Sequence, residues 1–182
     1  MDTKELENNL KNLDQATLGL GQTIQNMRNN ISQCYTQADN LEGQAKILKA
    51  MASREENEVT AAQMYNQSFA YTNQASAYRM QAEKLQMQME KMTSKLSGYK
   101  EMYQNYMAEG QINLVNLRTA VDKLVGVARS KYGTEKIEEA LAATKQRMIY
   151  NQNLVQGCQK RISWIEQICG STGDSYTRVR KR

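Results

Sequence analysis

The chain has 182 residues and a formal net charge of +5, with no proline, no histidine, one Trp and one Phe. Without histidine the commonest general base and metal ligand is missing, which argues against the usual catalytic triads and zinc sites. Without proline nothing forces a helix to stop, and so few bulky groups suit a thin core repeated along a rod better than a thick globular one.

The first predicted element carries apolar or small residues at alternating steps of four and three: Leu6, Leu10, Leu13, Thr17, Leu20, Ile24, Met27, Ile31, Cys34, Ala38, Leu41, Ala45 and Leu48. That rhythm is the seam of a coiled coil. Asp2 followed by Glu5 resembles a capping box at its start. Gly19, Gly21 and Gly43 lie off the seam and weaken the helix without ending it.

A second seam follows from Met64 through Ser68, Tyr71, Ala75, Tyr78, Ala82, Leu85, Met89, Met92, Leu96, Tyr99, Tyr103 and Tyr106 to Gly110. Its register is offset from the first by two residues, which at about 100° per residue turns the apolar line to the opposite side of a straight helix. Either one long helix meets partners on opposite faces or, the favoured reading, the chain turns between about residues 50 and 62. The polar run Ser53-Arg54-Glu55-Glu56-Asn57-Glu58 lies there, with Ser53 and Glu56 spaced as a capping box.

Beyond Gly110 the seam continues through Leu114, Leu117, Val121, Leu124 and Ala128 after a four-residue stutter, which unwinds a supercoil locally without breaking the helix. Lys131-Tyr132-Gly133-Thr134 reads as a break, Gly ending one helix and Thr capping the next. Ile137, Leu141, Thr144, Met148, Asn151, Val155, Cys158, Ile162, Ile165 and Cys169 form the last seam, and Gly170-Ser171-Thr172-Gly173 is expected to end it.

The expected fold is therefore all-α: an elongated antiparallel coiled coil or helical bundle of three long helices, 3–52, 56–131 and 134–169. It forms a single domain over 1–170, followed by a flexible basic tail over 171–182. In that tail Asp174 opposes Arg178, Arg180, Lys181 and Arg182, so most of the net charge sits there. Nucleic acid is not the expected partner; only the tail offers phosphate contacts, since the body has no basic stripe interleaved with aromatics.

No apolar run approaches the roughly 20 residues of a membrane span, and residues 1–5 lack a signal-peptide core, so a cytoplasmic location is expected. The three cysteines do not make a disulfide framework, and all sit on seam positions as small hydrophobes. Glu55-Glu56 and Glu138-Glu139 are adjacent pairs whose side chains diverge by about 100° on a helix, so neither converges on a ligand. The chain is not expected to be an enzyme or to hold a cofactor or metal.

Fifteen Asn and nineteen Gln cannot be buried without partners and are expected to face water or another chain. Between Met64 and Met107 lie seven Met and six Tyr, both suited to adaptable contact surfaces. Met80, Met87, Met102 and Met107 lie off the seam and are the candidate face for a protein partner or a second copy. Trp164, beside the last seam, is a candidate edge anchor. The leading functional expectation is a non-enzymatic structural or interaction protein acting through coiled-coil packing. The alternatives are a helical adaptor, chaperone or substrate of a bacterial export system and, more weakly, a nucleic-acid-associated protein using the tail.

Overall fold

A computed structural model describes the backbone of residues 3–128 and 135–177, and the side chains of residues 5–128 and 135–170. It holds three helices: α1 (Thr3–Ala52), α2 (Glu58–Ala128) and α3 (Glu135–Thr177). α1 and α2 pack antiparallel, as do α2 and α3. The chain forms two compact units, Met1–Ser94 and Lys95–Arg182, whose boundary falls inside α2.

In the first unit, α1 lies against the beginning of α2. Partner numbers fall on one helix as they rise on the other: Ser68 meets Ala45, and Arg79 meets Asp39 and Glu42. Near the turn the seam is built of small residues at heptad spacing, Ala38, Ala45 and Ala52 on α1 with Ser68, Ala75 and Ala82 on α2, all buried. Small side chains let helix axes approach toward the lower end of the usual 8–10 Å, about as near as packed helices come. The approach is close enough for the Ser68 hydroxyl to donate to the Ala45 carbonyl at 2.8 Å. Away from the turn the buried residues grow larger, to Ile24, Ile31 and Met89.

The turn occupies residues 53–57, within the interval the register change demanded. Its cap differs from the expected one. Asn57, not Ser53, caps α2: its Oδ1 accepts from the backbone N–H of Val59 and Thr60 at 3.0 and 3.1 Å, and its own N–H donates to Glu55. Ser53 instead donates its hydroxyl to the Ala50 carbonyl at the end of α1. The reason is position, since a capping oxygen must directly precede the first helical residue to reach the unpaired N–H groups.

In the second unit, α2 beyond Lys95 packs against α3. Gly110 sits against Leu154 and Val155, and Lys100 pairs with Glu166 at 2.7 Å. Leu96, Tyr103 and Gly110 are buried on α2, and Asn151, Cys158, Ile162, Ile165 and Ile168 on α3. Farther along, Leu114, Leu117, Val121 and Leu124 of α2 and Ile137, Leu141 and Met148 of α3 are half-buried. A seam shielded from one side only leaves part of each side chain wet.

α2 passes through Gly110 without a break, as a stutter allows. α3 does not stop at residue 169; it runs on through Gly170-Ser171-Thr172-Gly173 to Thr177. Glycine costs about 1 kcal/mol in a helix but still supplies its N–H and carbonyl, and no described glycine takes a left-handed conformation that would end one. The predicted break at Lys131–Thr134 and the Asp2 cap lie outside the described residues.

Among the described residues Thr17, Ser68 and Asn151 are the buried polar ones, all on seam positions. Thr17 donates its hydroxyl to the Leu13 carbonyl and the Asn151 amide donates to the Arg147 carbonyl, each one turn back. Such back-bonding lets a polar side chain enter an apolar seam without losing its hydrogen bond.

Candidate interaction face on helix α2

Ser68, Ala75, Ala82 and Met89 recur every seventh residue and form the buried line of α2 in the first unit. Residues displaced from that line by a quarter turn or more stand on the outward flank, outside the α1–α2 contact. Phe69 is about 100° from Ser68, and Met80 and Met87, each two residues before a buried position, are about 160° from Ala82 and Met89. Phe69, Met80 and Met87 occupy that flank: residues 69 to 80 and 80 to 87 span three and two turns, so the three align to within about 20°. Phe69 is 68% exposed, Met80 64% and Met87 59%, whereas Met89, two residues further on, is 1% exposed. Tyr65, one turn before Phe69, is exposed on the same side.

The four methionines singled out by sequence are thus distributed over both units. Met80 and Met87 share one flank of the first. Met102 and Met107 belong to the second, where five residues separate them by about 140° around the helix, so they do not share a face. Met102 is exposed and Met107 half-buried. Trp164 is half-buried on α3, with the Arg161 guanidinium 5.7 Å from its ring centroid. That stacked cation covers one ring face. Arg178, Arg180, Lys181 and Arg182 lie outside the described residues.

Phe69 did not emerge from the sequence because it directly follows a seam position and heptad spacing carries no sign that a bulky residue off the line is exposed. Its being the single Phe of the chain, off the seam, was the available signal. Ile47 and Met51, in the last turns of α1, and Val59, in the first turn of α2, are also exposed.

The flank borders an ion pair. Arg79 Nε donates to Glu42 Oε1 at 2.8 Å and its Nη2 to Asp39 Oδ1 at 2.9 Å. The hydrogen bond from Arg79 holds the Glu42 carboxyl below the usual carboxylate range, and the same bond raises Arg79. From residue 59 to residue 78, by contrast, α2 carries no Asp, Glu, Lys or Arg. A surface without formal charge offers contact through apolar area and amide hydrogen bonds and cannot steer a charged ligand.

No protein-family model, no curated protein and no solved structure matches this chain. Its function has to be read from its own residues. Among the described residues no cluster of three or more His, Cys, Asp or Glu could hold a metal ion, and no helix is long and apolar enough to cross a membrane. Cys34 and Cys158 are buried and Cys169 is half-buried, none of them in a disulfide.

Proposed function

We propose that this is a non-enzymatic interaction protein whose helices form a scaffold and whose exposed α2 flank docks against another protein surface. The observation that carries the reading is the alignment of Phe69, Met80 and Met87, each more than half exposed, on one side of a helix whose seam is already filled. Residues at those positions contribute nothing to the α1–α2 core, and their exposure to water is unfavourable by about 25 cal/mol per Å² of apolar area. Covering them recovers that free energy, and flexible Met beside rigid aromatic rings suits a contact that must adapt.

The test is affinity capture with the full chain as bait, comparing it with a Met80→Gln/Met87→Gln double variant. The expected result is a bound protein, either a second copy or another chain, that the variant loses at unchanged helicity. If the unaltered chain retains neither another protein nor itself across a range of salt and concentration, the reading is wrong.

A further inference from the structure

We infer that the occupant of the α2 flank is a second copy of this chain, packed antiparallel against the same flank around an axis between Thr72 and Asn73. This rests on the interaction reading above and adds the identity of the partner.

Three features of the surface carry the inference. The first is charge: residues 59–78 hold no Asp, Glu, Lys or Arg, so there is nothing to pair with a charged partner and nothing to repel an identical surface. The second is hydrogen bonding. Asn66, Thr72, Asn73 and Ser76 are exposed within about 60° of Phe69 around the helix, and each amide or hydroxyl both donates and accepts. A row of such groups is complementary to itself, as a row of carboxylates or ammonium groups is not.

The third feature is shape. Ala62, Phe69 and Ser76 repeat every seventh residue along the flank, a large side chain between two small ones. Around an axis between residues 72 and 73, Phe69 of one chain falls opposite Ser76 of the other, and Tyr65 falls opposite Met80. Each bulky group then meets a smaller or more pliable one, which is how facing helices interdigitate. The nearest charged residue of the flank, Glu83, falls opposite Ala62 at the margin of the contact rather than opposite a like charge.

Sedimentation velocity of the full chain over a wide concentration range tests the proposal. A reversible dimer is expected, with a dissociation constant nearly independent of salt, because no ion pair crosses the contact. Phe69→Glu and, separately, Ser76→Lys are expected to weaken it by at least about tenfold, the usual effect of damaging a central contact. Phe69→Leu is expected to retain most of it, and Ile149→Glu, on an exposed position of α3, to leave it unchanged.

Circular dichroism verifies that each variant is folded. Because both altered flank positions are exposed, two independent substitutions protect the test against one that misfolds. A chain that stays monomeric throughout overturns the proposal, as does a dimer indifferent to both flank substitutions or one that dissolves as salt is raised. Monomeric behaviour alone would leave the broader interaction reading standing on its capture experiment, so the two failures are distinguishable.

Discussion

Gly98 and Gly110 sit in the same helix and face opposite amounts of room. A Cβ built on Gly98 meets nothing within 4 Å, whereas one on Gly110 falls 3.0 Å from a Val155 methyl and 3.4 Å from Leu154 Cδ2. Replacing a helical glycine by alanine contributes about 1 kcal/mol when space allows. Gly98→Ala is expected to stabilise the protein by about that amount. At Gly110 the gain is offset by overpacking against a β-branched neighbour that is stiff at χ1. Chemical unfolding of the two variants is expected to place Gly110→Ala at least about 1 kcal/mol below Gly98→Ala. Equal effects would mean that the α2–α3 contact is looser than described. The sequence showed Gly110 on the seam, but the distance to Val155 depends on how two distant segments approach.

Along the elements, the four-three rhythm located the buried faces well. Every seam position expected in α1 is buried or half-buried, and along α2 from Met64 to Gly110 only Tyr78 is exposed, at 37%. Such spacing is legible because a helix repeats its face on a fixed period whatever it packs against. The boundary details were less legible. Asn57 replaced Ser53 as the cap because capping depends on the residue at which helical geometry begins, and α3 passed two glycines because a propensity cost of about 1 kcal/mol each is small beside the cooperativity of an established helix. Burial likewise divides the methionines of α2. Met89→Ala removes a buried side chain and is expected to cost about 2–5 kcal/mol. Met80→Gln and Met87→Gln are expected to leave the melting temperature within a few degrees, about the effect of a surface change below 0.5 kcal/mol. Differential scanning calorimetry distinguishes them, and a large loss at Met80 or Met87 would place those residues inside the core.

For the molecule as a whole, the absence of histidine shapes the response to pH. No side chain with an ordinary pKa titrates between the carboxylates and the thiols, so the stability curve is expected to be flat from about pH 5.5 to 7.5. Below that window the sign follows from Glu42, whose carboxyl is held down by Arg79. A group with a depressed folded pKa stabilises above its unfolded value, about 4.3 for Glu, and that contribution disappears as pH falls through the folded value. The pair is more than a third exposed on both sides, so solvent screening limits its worth to about 1 kcal/mol. Glu42→Gln is therefore expected to lower stability slightly at pH 7 and to make the acid limb shallower in urea titrations. An unchanged acid limb would mean that the ion pair does not persist in solution.

Helix content, seam positions and the turn after residue 52 were written in the sequence, since periodicity, amide content and missing proline act locally and repeat. Tertiary structure alone decided which off-seam residues stay uncovered: Phe69, Met80 and Met87 are exposed because α1 approaches α2 along the Ala and Ser line and leaves the outward side open. A single chain's spacing names the line that must be buried, but where the neighbouring helix ends its cover is settled only when the two helices meet.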